Sequence, residues 1–249
     1  MTSLVCANLS PIPILVYHQI DVAPPKGAPF RSLYVAPAAF ARQMRFLSVL
    51  GYRGLSMSAL LPYVRGEKQG KVVGITFDDG YVNNLQHALP VLQAQGFSST
   101  CYAVSQRLGQ TNVWDAEVGV SPTPLMDAAQ LRQWVAGGQE VGAHTRHHVN
   151  LKACDEALAL EEISLSKKEL STLTGRVIEA FSYPYGWLLE KHTEMVKLAG
   201  FKSATTTVRG RVRAGLDLLQ LPRVPVVHST TLPVFWLKLA TGYEDRRAA

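Results

Sequence analysis

Apolar positions along the chain fall into short β-like runs separated by stretches with helical spacing, and the two alternate from one end to the other. Ile12 to Tyr17 predicts a strand ending at His18-Gln19. After a proline-rich loop, Asp21 to Pro29, residues 37–50 place Phe40, Met44, Leu47 and Leu50 on one helical face, and Gly51 ends that helix. Tyr52 to Leu55 predicts a short strand, and Ser56 or Ser58 caps a helix through Val64. Gly74 to Phe77 is β-like. Residues 82–95 are amphipathic through Leu85, Leu89 and Leu92, with Pro90 expected to end or kink the helix. A strand over Phe97 to Val104 leads into a long loop, Gln106 to Met126, which carries Asn112, Trp114 and Asp115. Loops of that length in compact α/β domains are commonly functional. Asp127 caps a helix through Val135, Glu140 to Ala143 predicts a strand running into His144, and helical spacing resumes from about Cys154 to Leu173. Val177 to Phe181 is a strand followed by Tyr183-Pro184-Tyr185-Gly186, and Leu188 to Ala199 is helical. Strands over Phe201 to Thr207 and Leu221 to Val227 and a helix over Leu232 to Ala240 complete the pattern.

Strands alternating with helices imply parallel βαβ units, and seven or eight of them in 249 residues imply one closed or nearly closed (β/α) barrel spanning residues 1–249, with no linker to divide it. Such barrels carry their active sites at the C-terminal ends of the strands. His18, Asp78-Asp79, His144 and the Tyr183 to Gly186 turn all fall at predicted strand ends.

The run Gly74-Ile75-Thr76-Phe77-Asp78-Asp79-Gly80-Tyr81 ends in two adjacent carboxylates. In a regular strand their side chains face opposite ways, so a turn, which Gly80 permits, is needed to bring both into one site. Side by side they repel unless a cation neutralises one and leaves the other as a base. In His144-Thr145-Arg146-His147-His148, a helical turn would put His144 and His148 on one face, with His147 pointing elsewhere. Two imidazoles and one carboxylate leave a coordination position open, the pattern of a catalytic zinc site. His87 and His192 lie within helical patterns and are expected at the surface; His228 ends a late strand and stays an open candidate.

Composition narrows the function classes. With 47% hydrophobic and 18% charged residues the chain is a folded globular protein, not a disordered one. Its apolar runs are of strand length, so no membrane-spanning helix is expected. Met1 to Tyr17 has no Lys or Arg and is interrupted by Asn8, Pro11 and Pro13, unlike a secretory leader, which gives an expectation of a cytoplasmic protein with peripheral membrane association open. Cys6, Cys101 and Cys154 form no close pair and no metal spacing. The net charge of +6 is spread along the chain, densest at Arg209, Arg211 and Arg213, without the aromatic interleaving of a nucleic-acid surface. It fits solubility, or attraction to an anionic surface or substrate, better.

Thr76-Phe77-Asp78-Asp79-Gly80 and His144-Thr145-Arg146-His147-His148, followed by Tyr183-Pro184-Tyr185-Gly186, resemble the successive signatures of the NodB-like polysaccharide deacetylases, carbohydrate esterase family four. The resemblance runs from Pro13 to about Val226. It implies a metal-dependent hydrolase on a distorted β/α barrel. Asp79, His144 and His148 would bind a divalent metal, usually zinc, with cobalt a possible substitute, and Asp78 would be the general base. A backbone N–H near Tyr185 would help hold the oxyanion. In most of the family the general acid is a histidine near the C-terminal end. Val16-Tyr17-His18 resembles that signature but stands at the N-terminus, as in the circularly permuted subgroup that includes the poly-N-acetylglucosamine deacetylases, which favours His18 over His228. The third signature usually begins with an arginine that orients the base. Ser182 stands there, and Arg223 is the candidate replacement, with Arg209, Arg211 and Arg213 also open. Tyr183, Tyr185, Trp187 and Trp114 are candidates for stacking on sugar faces, or else pack the barrel rim. The activity implied is removal of N-acetyl groups from N-acetylglucosamine-type units of a glycan or glycoconjugate. Hydrolysis of another amide or of an O-acetyl ester, and a metal-free barrel that only binds carbohydrate, are the alternatives.

Overall fold

The computed structural model describes residues 10–247; Cys6 and Asn8 lie outside them. β1 (Ile14–Tyr17) and β5 (Val72–Phe77) are buried along their whole length, which is why they read as unbroken apolar runs and not as alternating ones. With β6 (Thr100–Ala103), β7 (Glu140–Ala143), β8 (Ala180–Ser182), β9 (Ser203–Arg209) and β10 (Leu221–Pro225) they form a closed parallel barrel in the order β1-β10-β9-β8-β7-β6-β5, returning to β1. Leu15 pairs with Val224 on one side and Ile75 on the other, so the N-terminal strand closes the barrel between β5 and the last strand. β4 (Arg53–Leu55) is an extra strand beside the first residues of β5, whose last residues pair with β6. A separate pair, β2 (Gln19–Ile20) and β3 (Tyr34–Val35), lies in the segment after β1.

Helices α1 (Pro37–Val49), α2 (Met57–Val64), α3 (Leu89–Gln95), α4 (Ala128–Ala136), α5 (Glu156–Thr174), α6 (Glu190–Leu198) and α7 (Leu232–Ala240) occupy the connections. They cover the barrel with apolar faces. Tyr17 and Phe77, neighbours on β1 and β5, stack at 5.6 Å, and Trp134 of α4 meets Phe77 edge-on at 5.7 Å. Asp127 accepts from the Gln130 N–H while the Gln130 side chain accepts from the Asp127 N–H, a capping box that starts α4 where the sequence places it.

The expected break at Pro90 takes a milder form. Residues Asn84–Ala88 widen into an i→i+5 turn immediately before α3, and Pro90 follows as the second residue of α3 without ending the helix. His192 is buried, not at the surface: its Nδ1 accepts from the Leu189 N–H at 3.0 Å and caps α6. Cys101 is a free buried thiol and Cys154 a free, partly buried one. No helix among the described residues is long and apolar enough to cross a membrane.

Candidate active site

β5 delivers both carboxylates to the C-terminal mouth of the barrel. Asp78 is still in the ladder, its N–H donating to the Tyr17 carbonyl. Asp79 has left it, with φ 75°, and Gly80 follows at φ 83°. The turn expected at Gly80 therefore begins one residue earlier, and the left-handed conformation of Asp79 is what turns its carboxylate into the same site as Asp78. Aspartate tolerates that region better than most residues.

The histidine segment is not helical. After β7 the chain runs as a loop in which Thr145 (φ 63°) and His148 (φ 60°) are both left-handed. Those two reversals, and not a shared helical face, bring His144 Nε2 to 3.5 Å and His148 Nε2 to 3.3 Å from the same oxygen, Asp79 Oδ1. His147 points away, to Glu162 of α5.

The donor set fits a divalent cation. His144 Nδ1 lies 2.7 Å from the Ser182 carbonyl oxygen, which can only accept, so Nδ1 carries the hydrogen and Nε2 turns its lone pair toward a carboxylate. A lone pair facing an anion is repulsive unless a cation or a proton lies between them. One ligand atom from each of Asp79, His144 and His148 can be chosen so that all lie within 4.8 Å of one another, with all three residues buried. Burial on its own would raise the Asp79 carboxyl, yet the close contact of the His144 and His148 imidazoles holds it well below the usual carboxylate range. Trp114 stacks on the His148 ring at 4.3 Å and Tyr185 meets it edge-on at 4.7 Å, walling one side of the cluster.

Asp78 is paired with Arg223. The guanidinium reaches in from β10 and makes two parallel bonds, Nη1 to Oδ1 and Nη2 to Oδ2, each 2.7 Å. Its remaining donors go to the Thr206 carbonyl, Thr76 Oγ1 and Ser182 Oγ, so all five guanidinium N–H groups have acceptors. Ser182 thus holds the arginine from the position where the family signature carries its own. Burial pushes Asp78 up, but the charge and hydrogen bonds of Arg223, with His144 and His18 nearby, hold it below its ordinary value. Arg209, Arg211 and Arg213 pair instead with Glu244 and Asp245. His18 Nε2 is 4.0 Å from Asp78 Oδ2, and Asn84, just beyond the carboxylate turn, donates to the His18 carbonyl at 2.8 Å. His228 is exposed, its backbone N–H bonded to Ser32.

The cluster opens into two joined compartments. The inner one, about 100 Å³, is lined by His18, Asp78, Asp79, His144, His148 and Tyr185. The outer one, about 730 Å³, adds Glu117, Val118 and Trp187 and shares Phe30, Leu33, Trp114 and Asp115 with the inner. Tyr183 belongs to neither compartment. It is fully buried, its hydroxyl donating to the Leu219 carbonyl and its ring edge-on to Phe181, so the stacking role considered for it is ruled out by lack of access. Asp115, singled out in the sequence only by its long loop, faces the site. Burial and the Asp79 charge push its carboxyl up to about 6. Phe30, Leu33, Asn84 and Glu162 carried no signal in the sequence, because the group each one meets is brought to it only by the folded chain: Asn84, close to the aspartates in sequence, bonds to His18, 66 residues away.

Comparison with known proteins agrees with this geometry. Residues 65–204 match the family model for polysaccharide deacetylase. YxkH of Bacillus subtilis, provisionally named a polysaccharide deacetylase, is 28% identical over 217 residues, 86% of this chain and 71% of its own. The poly-beta-1,6-N-acetyl-D-glucosamine N-deacetylase of Staphylococcus aureus is 21% identical over 197 residues, 76% of this chain and 67% of its own. The crystal structure of BA0330 from Bacillus anthracis, also provisionally named a polysaccharide deacetylase, superposes with a TM-score of 0.78 at 29% identity, covering 92% of this chain and 69% of that one. A family match over more than half of the chain, on a closed parallel barrel of the same fold, makes this protein a member of the polysaccharide deacetylase family, hydrolases of non-peptide C–N amide bonds.

Proposed function

We propose that the protein is a divalent-metal-dependent N-deacetylase acting on N-acetylglucosamine-type units of a glycan or glycoconjugate. The observation that carries this reading is the convergence of His144 Nε2 and His148 Nε2 on Asp79 Oδ1, beside an Asp78 held ionised by Arg223. Two nitrogens and a carboxylate suit zinc, with cobalt a workable substitute. When bound there, the ion supplies Lewis acidity toward an acyl oxygen and an attacking water.

The chain's own residues divide the remaining work. Asp78, charged at neutral pH, accepts the proton of the attacking water. The backbone N–H at Tyr185 donates to the acyl oxygen as negative charge builds on it. His18 gives a proton to the departing amine nitrogen, so that acetate and a free amine leave. The side walls of Trp114, Tyr185 and Trp187 offer flat apolar faces of the kind that sugar rings stack on. The Staphylococcus aureus relative is named for N-deacetylation of poly-β-1,6-N-acetylglucosamine, which supports that acceptor class.

The test combines metal analysis with acetate release from N-acetylated oligosaccharides. The purified protein is expected to hold one zinc or cobalt per chain and to release acetate. Asp78→Asn should keep the metal and lose turnover, whereas Asp79→Ala should lose both. His18→Ala should slow turnover about 10²–10⁴-fold, and His228→Ala should leave it unchanged. Absence of stoichiometric metal, with no acetate release restored by added zinc or cobalt, would overturn the reading.

A further inference from the structure

The segment 144–148 carries two of the three candidate metal ligands in a conformation it has no local reason to adopt. Thr145 and His148 are both left-handed without being glycine, and no helix spans them. Each such residue costs about 1–3 kcal/mol and persists only where its surroundings over-determine it. Within the segment, Thr145 Oγ1 accepts the His148 N–H at 3.0 Å. From the β6 side, the Ser105 and Gln106 N–H groups donate to the carbonyls of Thr145 and Arg146. Those bonds leave the N–H groups of Arg146 and His147, which point outward from the barrel.

Glu162 meets both. Its Oε2 accepts from the Arg146 N–H at 2.8 Å and the His147 N–H at 2.9 Å, and its Oε1 lies 2.6 Å from His147 Nδ1. Consecutive N–H groups beside left-handed residues form a concave site for an anion, and here a side-chain carboxylate is that anion. Glu162 is 1% exposed and sits in the second turn of α5, a 19-residue helix whose buried face also carries Ala159, Ile163 and Ser166. A long helix packed on the barrel is a rigid anchor. The Arg146 side chain adds a second tie to α5 through Glu169 at 3.0 Å.

We propose that Glu162 is a positioning residue for the metal centre: its carboxylate locks the left-handed loop in which His148, two residues beyond the Arg146 N–H it holds, meets Asp79. The inference rests on the metal reading given above. Partners that orient ligands from behind are worth about 10–100-fold in metal affinity. Glu162→Gln keeps the shape and one oxygen for the two N–H groups. It removes the charge and the acceptor facing His147.

The test compares zinc affinity by chelator competition, the cobalt d–d spectrum and amide exchange in wild type, Glu162→Gln, Glu162→Asp and His147→Ala. Glu162→Gln is expected to bind zinc about 10–100-fold more weakly, to shift the cobalt bands, and to exchange the Arg146 and His147 amides faster in the metal-free state. Its cooperative unfolding should be retained. Glu162→Asp, which keeps the charge but withdraws it by one methylene, should fall between, and His147→Ala should lose less than Glu162→Gln because both backbone bonds remain. Zinc affinity within twofold of wild type for Glu162→Gln, with unchanged amide exchange, would overturn the proposal. If wild type itself bound no metal, the metal reading would fall, and amide exchange would still decide whether Glu162 holds the loop.

Discussion

The residue with most resting on it is Arg223, a buried charge whose five donors are all used and whose main partner, Asp78, is also buried. Removing one member of a buried pair strands the other. Arg223→Gln is therefore expected to destabilise the fold by about 3–5 kcal/mol at neutral pH. The pH dependence gives a sharper check. The native pKa of Asp78 is held below the ordinary 3.8, so the pair contributes stability above that value and loses it as pH falls through the depressed native pKa. Without Arg223, burial prevails and raises the Asp78 pKa, reversing the sign. The gap between wild type and variant in urea unfolding should widen from pH 4 to pH 7, and an equal gap at both would contradict the pairing.

At the scale of elements, the site is built from turns that leave strands by unusual backbone conformations. Asp79, Thr145, His148 and Tyr185 all have positive φ, and each follows a barrel strand within a few residues. Gly186 shows how tightly one such turn is seated. With φ 71°, a Cβ there would lie 1.9 Å from Thr207 Oγ1 and 2.6 Å from the Thr207 backbone nitrogen. Gly186→Ala must push the Tyr185 turn off β9, and a loss of about 1–3 kcal/mol is expected. Because Tyr185 packs on His148, thermal unfolding should be accompanied by weaker acetate release. A variant as stable as wild type would show that the turn can shift freely.

The whole molecule depends on closure. β1 supplies hydrogen bonds to β5 and β10 at once and carries His18 at its end, so the first described strand both closes the barrel and brings His18 within 4.0 Å of Asp78. Removing the chain through Tyr17 would leave two buried strands with bare edges, a state prone to association. The shortened protein is expected to lose cooperative unfolding and near-ultraviolet circular dichroism. A soluble, cooperatively folding product would show that the barrel does not need its closing strand.

Much of this was legible in the sequence because it is local. Alternation of apolar runs with helical spacing is written into short windows, and a parallel barrel follows from that alternation. Barrel geometry then places strand-end residues at one mouth, which groups Asp78, Asp79, His144 and His18 from their sequence positions alone. The expectation of a helical His144–His148 pair erred because spacing records distance along the chain and not backbone sign. Tyr183 and Tyr185 are two residues apart in one motif, yet one is core and the other lines the cavity. Arg223 and Asp78 are 145 positions apart, and Glu162 reaches the histidine loop from 15 to 16 residues away through a helix packed on the outside of the barrel. The sequence by itself determined the barrel and the chemistry at its strand ends, since both depend on local periodicity and residue type. Only the tertiary structure decided which arginine meets Asp78 and which carboxylate meets the His144–His148 loop, since those contacts exist only once distant strands and helices have closed around one another.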